Sequence, residues 1–141
     1  AGGFDTTLSN AEDYLLWLKV AVTARIIRVP EVLAFYHFHS GQQASARHAD
    51  AALQFLTAQQ RYLAGNPPLI RKLGRRRLRE LQWGTLMQRG FERYWQRDLG
   101  SARPLFREVM RQGHGGLREW LYMLPSWLPE NLHRKLLEWR G

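Results

Sequence analysis

Cysteine is absent from the 141 residues, so neither a disulfide framework nor a thiolate zinc site organises this chain. Long hydrophobic runs are missing as well: no stretch approaches the ~20 apolar residues that a helix needs to span a bilayer. The chain opens on Ala1-Gly2-Gly3 with neither a charged n-region nor an apolar h-region. Acids are the scarcer charge, 12 Asp and Glu against 21 Lys and Arg, leaving a formal net charge of +9. Residues 1–45 hold three basic side chains (Lys19, Arg25, Arg28) against four acidic ones (Asp5, Glu12, Asp13, Glu31), so the positive excess lies wholly after residue 45. That asymmetry divides the chain into two parts with different jobs, residues 1–45 and a basic part, residues 46–141. Beyond residue 45 the strand signal is absent too.

What is present is a 45% hydrophobic share, enough to supply the core of one domain. Ser9-Asn10-Ala11-Glu12 has the spacing of a capping box and predicts a helix start. Leu15, Leu18 and Val22 follow at helical spacing, with Leu16 and Trp17 widening the apolar surface. Arg25–Val29 is β-branched, Pro30 breaks it, and Val32–Phe38 is rich in strand formers, which predicts a short β-hairpin. In its second arm Leu33, Phe35, His37 and His39 share one face, and Gly41–Ser45 reads as a linker.

The second part reads as mainly α. Ala51, Phe55, Ala58 and Tyr62 repeat at helical spacing until Gly65-Asn66-Pro67-Pro68 stops the helix. A second helix is expected from near Leu69 to Asp98, with Trp83, Met87, Phe91 and Trp95 in line, and a third from Ala102 to Gln112 after the turn Asp98–Ser101. With Gly84, Gly90 and Ala102 as small contacts, this pair resembles a single tetratricopeptide-like hairpin. Gly113–Gly116 ends it, and Leu117–Leu124 and Glu130–Trp139 are short amphipathic pieces set apart by Pro125 and Pro129.

In order, the first part presents Gly2-Gly3-Phe4-Asp5, then Glu12-Asp13, a Trp-containing apolar segment, Val29-Pro30-Glu31-Val32-Leu33, Tyr36-His37-Phe38-His39 and a polar stretch ending on Ser45. This order resembles the C-terminal part of the catalytic domain of family 2 glycosyltransferases, the inverting enzymes of the α/β GT-A fold. The resemblance covers about the first third of the chain. It implies that residues 1–45 are the end of a truncated GT-A domain, with the nucleotide-binding half upstream and Ala1 a boundary inside a longer bacterial-type protein. By the same resemblance Asp13, beside Glu12, is the general base that deprotonates the acceptor hydroxyl, and Gly2, Gly3, Phe4 and Asp5 line the acceptor side of the cleft. His39 is a ligand of Mg²⁺ or Mn²⁺, completed by an Asp-x-Asp motif that these residues lack. The implied parent acts in the cytoplasm or at the inner face of the cell membrane, using a nucleotide-sugar donor and a glycan acceptor of the cell-surface polysaccharide or lipopolysaccharide kind. The chain alone is expected to be inactive, to need no cofactor, and to form a homodimer through the apolar surface that the upstream half would cover. Two positions depart from the family pattern: Leu15 stands where many members carry a further acid, and His37 where Arg is common.

Each of these residues has a plainer reading. Acids in a first helical turn complement the helix dipole, Gly2–Asp5 makes an ordinary turn, Trp17 is expected in a core, and His37 with His39 offers only two of the ligands that zinc needs. The basic cluster Arg71, Lys72, Arg75, Arg76, Arg77 and Arg79 stacks residues 71, 75 and 79 on one face of a regular helix. It has no interleaved stacking platform, which disfavours nucleic acid. An anionic membrane surface, with Trp120, Trp127 and Trp139 inserting at the interface, suits it better, and a solvated face is the third reading. The alternative to an enzyme fragment is a stand-alone basic helical module that docks on a membrane or an acidic partner.

Overall fold

The computed structural model describes residues 2–35 and 48–139, and these are mainly helical with no strand among them. The elements are α1 (Glu12–Thr23), α2 (His48–Ala64), α3 (Pro67–Arg79), a π-helical turn (Glu80–Gly84), α4 (Thr85–Trp95), α5 (Leu99–Arg111), α6 (Leu117–Met123), a 3₁₀ turn (Leu124–Trp127) and α7 (Glu130–Trp139).

The hairpin of α4 and α5 is the centre of the body. Asp98 caps α5 by accepting from the Ser101 amide at 3.0 Å, and Arg97 turns the chain with φ of 62°. Gly90 lets the two helices close, because a Cβ there would stand 2.7 Å from the Phe106 ring. Around that contact the fully buried Ala102, Leu105, Phe106 and Val109 form one core with Tyr94 and Leu86.

α2 covers one side of this hairpin with Ala52 and Leu56, while Phe55, Ala58 and Tyr62 turn toward α1. Of the expected stripe, Phe55, Ala58 and Tyr62 therefore serve the smaller contact, while Ala51 lies toward Arg89 and Leu105 of the hairpin. There Leu8, Ala11, Leu15 and Ala58 form a second cluster, the Tyr14 and Phe55 rings meet edge-on at 4.9 Å, and Gln59 Nε2 donates to the Tyr14 hydroxyl at 3.2 Å. On the other side lie α6, the 3₁₀ turn and α7. Met123, Ser126, His133 and Leu137 point inward, and Tyr94 touches this layer twice, its ring centroid 6.2 Å from that of Tyr122 and 6.0 Å from that of His133. Arg107 Nε fastens the layer by donating to the Ser126 carbonyl at 2.8 Å.

Four expectations are corrected. The capping box does not form: the N-cap of α1 is Ala11, with no side-chain cap, because burying Ala11 against Leu8, Leu15 and Ala58 fixes where the helix starts. The β-hairpin is absent among the described residues. From Ala24 to Phe35 the chain runs without helix or strand, and Ile26, Ile27, Val29, Val32, Leu33 and Phe35 are each more than half exposed. A strand needs a neighbour to take its backbone hydrogen bonds, and none of the described elements supplies one. The rest of the expected hairpin, with His37, His39 and the Gly41–Ser45 linker, lies outside the described residues.

The long helix from Leu69 to Asp98 is interrupted twice. Gly74, at φ 73° and ψ 160°, breaks α3 in a conformation that glycine alone adopts readily, so Arg71 and Lys72 do not share a face with Arg75, Arg76, Arg77 and Arg79. The π turn Glu80–Gly84 is the second interruption. Trp83 within it and then Leu86, Gly90 and Tyr94, spaced three and four residues apart as on one face of a regular helix, are buried. Met87 and Phe91 pack half-buried against the same core, and Trp95, expected in line with them, ends 62% exposed. Finally, α5 begins at Leu99 instead of Ala102, since the Asp98 cap lets the turn residues join the helix.

Candidate functional site

Gly2 and Gly3 both hold positive φ, 76° and 75°, which is why two glycines open the motif. Phe4 is exposed. Asp5 then folds the loop on itself: its Oδ1 accepts from the Thr7 amide at 3.1 Å and from the Thr7 hydroxyl at 2.7 Å. From α2, Arg61 Nη1 reaches Asp5 Oδ2 and Thr7 Oγ1, pinning the loop to the helical body. The Thr7 hydroxyl first, and the Arg61 guanidinium next, hold the Asp5 carboxyl at about 2, below the usual carboxylate range. Asp5 is thus committed to structure. Arg61 lies 56 residues away in sequence, and no local pattern singles it out.

Asp13 behaves differently. It lies exposed on the first turn of α1, where the helix dipole favours its negative charge. Its Oδ1 accepts from the Tyr14 amide at 2.6 Å, and among the described residues it joins no ion pair. Glu12 is half-buried, its Oε2 sheltered and without a partner in the described structure. Leu15, the departure from the family pattern, is buried in the cluster of Leu8, Ala11 and Ala58. An acid there would be stranded in an apolar contact.

Trp17, expected in a core, is 59% exposed on the helix that carries Asp13. With the apolar residues from Ile26 to Phe35 it makes the N-terminal part of the chain unusually rich in uncovered hydrophobic surface. Among the described residues no group of three His, Cys, Asp or Glu side chains is placed to hold a metal ion, and His39 lies outside those residues.

The basic cluster is separate from these acids. Arg71, Lys72, Arg75, Arg76 and Arg77 are exposed on α3. Arg79 is used structurally, its Nη2 donating to the carbonyls of Gln112 at 3.1 Å and Gly113 at 3.0 Å, where α5 ends and needs donors. Trp120 is likewise tied down, packed on the core with Nε1 donating to the His114 carbonyl at 3.0 Å. Trp127 and Trp139 are the exposed tryptophans of the C-terminal layer. Among the described residues no helix is long and apolar enough to cross a membrane.

No protein-family model matches the chain, and no curated protein or solved structure matches it.

Proposed function

We propose that residues 1–45 are the C-terminal segment of the catalytic domain of an inverting, GT-A-type glycosyltransferase, which moves a sugar from a nucleotide-sugar donor to a cell-surface polysaccharide or lipopolysaccharide acceptor. The observation that carries the reading is the contrast between two carboxylates of one motif: Asp5 is consumed by Thr7 and Arg61, while Asp13 is held on a helix start and left open. A carboxylate left accessible at a helix start can take a proton from a hydroxyl brought within hydrogen-bond reach, as a general base must. In this reading Asp13 takes the proton of the acceptor hydroxyl as that oxygen attacks the anomeric carbon, and the nucleotide diphosphate leaves from the opposite face. One bond forms as another breaks, so the anomeric centre inverts.

The uncovered apolar tract between Trp17 and Phe35 supports the same reading, since the nucleotide-binding half of such a domain would pack on it. The described residues do not supply a set of ligands for Mg²⁺ or Mn²⁺. The ion belongs, in this reading, to carboxylates of the parent's other half, with His39 as a further ligand. Residues 48–139 are then a helical C-terminal extension built on a tetratricopeptide-like hairpin, and the parent works in the cytoplasm, where nucleotide sugars are made.

The test is Asp13→Asn in the parent polypeptide. Sugar transfer should fall by about 10²–10⁴-fold, with donor binding and helix content unchanged. Transfer at the wild-type rate would overturn the assignment and leave the alternative, a basic helical interaction module that docks on a membrane or an acidic partner, for which the first 45 residues are scaffold.

A further inference from the structure

The C-terminal layer is apolar on both of its surfaces. In α6, Trp120 and Met123 face the core, while Leu117 and Leu121 stand outside, followed by Leu124 at the start of the 3₁₀ turn, at i, i+4 and i+7, Leu117 being 89% exposed. In α7, His133 and Leu137 face inward, while Leu132, Leu136 and Trp139 repeat the i, i+4, i+7 stripe outside, Trp139 being 87% exposed. Since Tyr122 and His133 both border Tyr94, the two elements lie over the same side of the α4–α5 hairpin. Both outer stripes are turned away from the core, and Trp127 and Leu128, exposed between them in the chain, continue the apolar surface from one to the other. Scattered exposed leucines are ordinary. Two complete stripes on neighbouring elements, with the same helices already anchored by their inner faces, are not.

The charge around this layer selects what covers it. Arg107 and Arg111 stand over the Trp127 ring at 5.5 and 5.7 Å, while on α6 and α7 Arg118, Arg134 and Lys135 are matched by Glu119, Glu130 and Glu138, with Arg134 paired to Glu130 at 2.8 Å, so the positive excess beside the layer comes from α3. The cationic helix α3 is fastened beside the start of the layer, because Arg79 donates to the carbonyls of Gln112 and Gly113, four residues before α6 begins. An apolar surface of leucine and tryptophan, with the exposed cations Arg71, Lys72, Arg75, Arg76 and Arg77 on the helix fastened beside it, fits the boundary between acyl chains and anionic headgroups. Exposed leucines would gain nothing from a phosphate backbone, and an acidic protein surface would leave the two apolar stripes without a low-dielectric partner.

We infer that the outer face of α6 and α7, together with α3, docks the protein on an anionic lipid bilayer, the leucine and tryptophan stripes entering the interface while α3 contacts headgroups. The inference stands apart from the glycosyltransferase reading: the Asp13→Asn variant should bind vesicles as the wild type does, whatever it does to transfer.

Co-sedimentation of the full chain with vesicles tests it. Vesicles of phosphatidylcholine with about 30% phosphatidylserine should take up the protein, vesicles of phosphatidylcholine alone should take up far less, and about 0.5 M salt should release most of it. Replacing Arg75, Arg76 and Arg77 together by Gln should weaken binding by about a hundredfold. Leu121→Ser with Leu136→Ser should weaken it by about tenfold or more, and since both leucines are exposed, circular dichroism should show an intact fold. Equal uptake by neutral and anionic vesicles would overturn the inference, as would no uptake by either. So would an unchanged affinity in the leucine variant, or a DNA duplex bound as tightly as the anionic vesicles, which would make α3 a general polyanion site.

Discussion

Residues 2–35 and residues 48–139 use apolar side chains in opposite ways. The first region buries Leu8, Ala11 and Leu15 against α2 and leaves Trp17, Val22 and nearly every large apolar residue from Ile26 to Phe35 in solvent. The second buries Phe106, Leu105, Val109 and Met123 completely and closes two helices on Gly90. The region with the ordered motifs is thus the one with the thinner core, while the well-packed region has a full core at the α4–α5 hairpin and carries most of its exposed apolar side chains on its outer C-terminal layer. Side chains that fill a core are accounted for by packing; an open carboxylate at Asp13 and an uncovered apolar tract beside it ask for a partner or a reaction.

The contrast makes predictions of decreasing size. The largest concerns association: the 141-residue chain should form a homodimer through the uncovered tract, by segment exchange or by face-to-face contact. Light scattering at micromolar concentration should give twice the chain mass, and Ile27→Asp with Val32→Asp should restore the monomer. A wild-type chain that is strictly monomeric would break the comparison. Next in size, Phe106→Ala should cost about 3–5 kcal/mol in urea unfolding, whereas Trp17→Ala, at an exposed site, should stay within about 0.5 kcal/mol. Similar losses for the two would show that Trp17 is buried in solution. Gly90→Ala should cost about 1–3 kcal/mol, because the new methyl meets the Phe106 ring at 2.7 Å and the helices must separate. No loss would mean the ring swings aside freely.

The smallest effects separate the two regions by pH. His133 is buried with neither ring nitrogen hydrogen-bonded among the described residues. Burial first, then the Arg103 and Arg107 charges, push its pKa below the usual histidine value. A lowered folded-state pKa means that the unfolded chain takes up the proton more readily, so stability is full above about 6.5 and declines as the pH falls below it. His133→Leu should remove that decline in thermal melts. Asp5 is lowered from 3.8 to about 2, so its contribution is present above about 4 and lost only as the pH falls toward 2. In an NMR titration, Arg61→Ala should move the Asp5 midpoint back toward 3.8.

Much of the helical body is legible in the sequence because its signals are local. Gly65-Asn66-Pro67-Pro68 separates α2 from α3, Asp98 is a cap three residues before the amide it accepts from, and Gly113 closes α5 with φ of 60°. The interruptions of the second helix are less visible. Gly74 and Gly84 look alike in sequence, yet Gly74 takes a left-handed break and Gly84 ends a π turn, where a Cβ would stand 2.5 Å from the Glu80 carboxylate. The expected line of Trp83, Met87, Phe91 and Trp95 steps four residues at a time and drifts around the helix, so Leu86 and Gly90 take the centre of the inner face, Met87 and Phe91 flank it, and Trp95 is left outside. For the candidate site, the order Gly2-Gly3-Phe4-Asp5 and Glu12-Asp13 marks the acids but cannot say that one is clamped and the other free.

Composition and spacing by themselves determined that this chain is mainly helical, cysteine-free and basic after residue 45, with a carboxylate pair at the start of its first helix. Those properties follow from neighbours within a few residues, where capping, chain breaking and helical periodicity act. Tertiary structure decided which carboxylate Arg61 would claim from across 56 residues, that the long second helix would be interrupted at Gly74 and at Glu80–Gly84, and that the span from Ile26 to Phe35 would run exposed. Each of those outcomes depends on which side chain is present on the opposite element, and no local spacing encodes that.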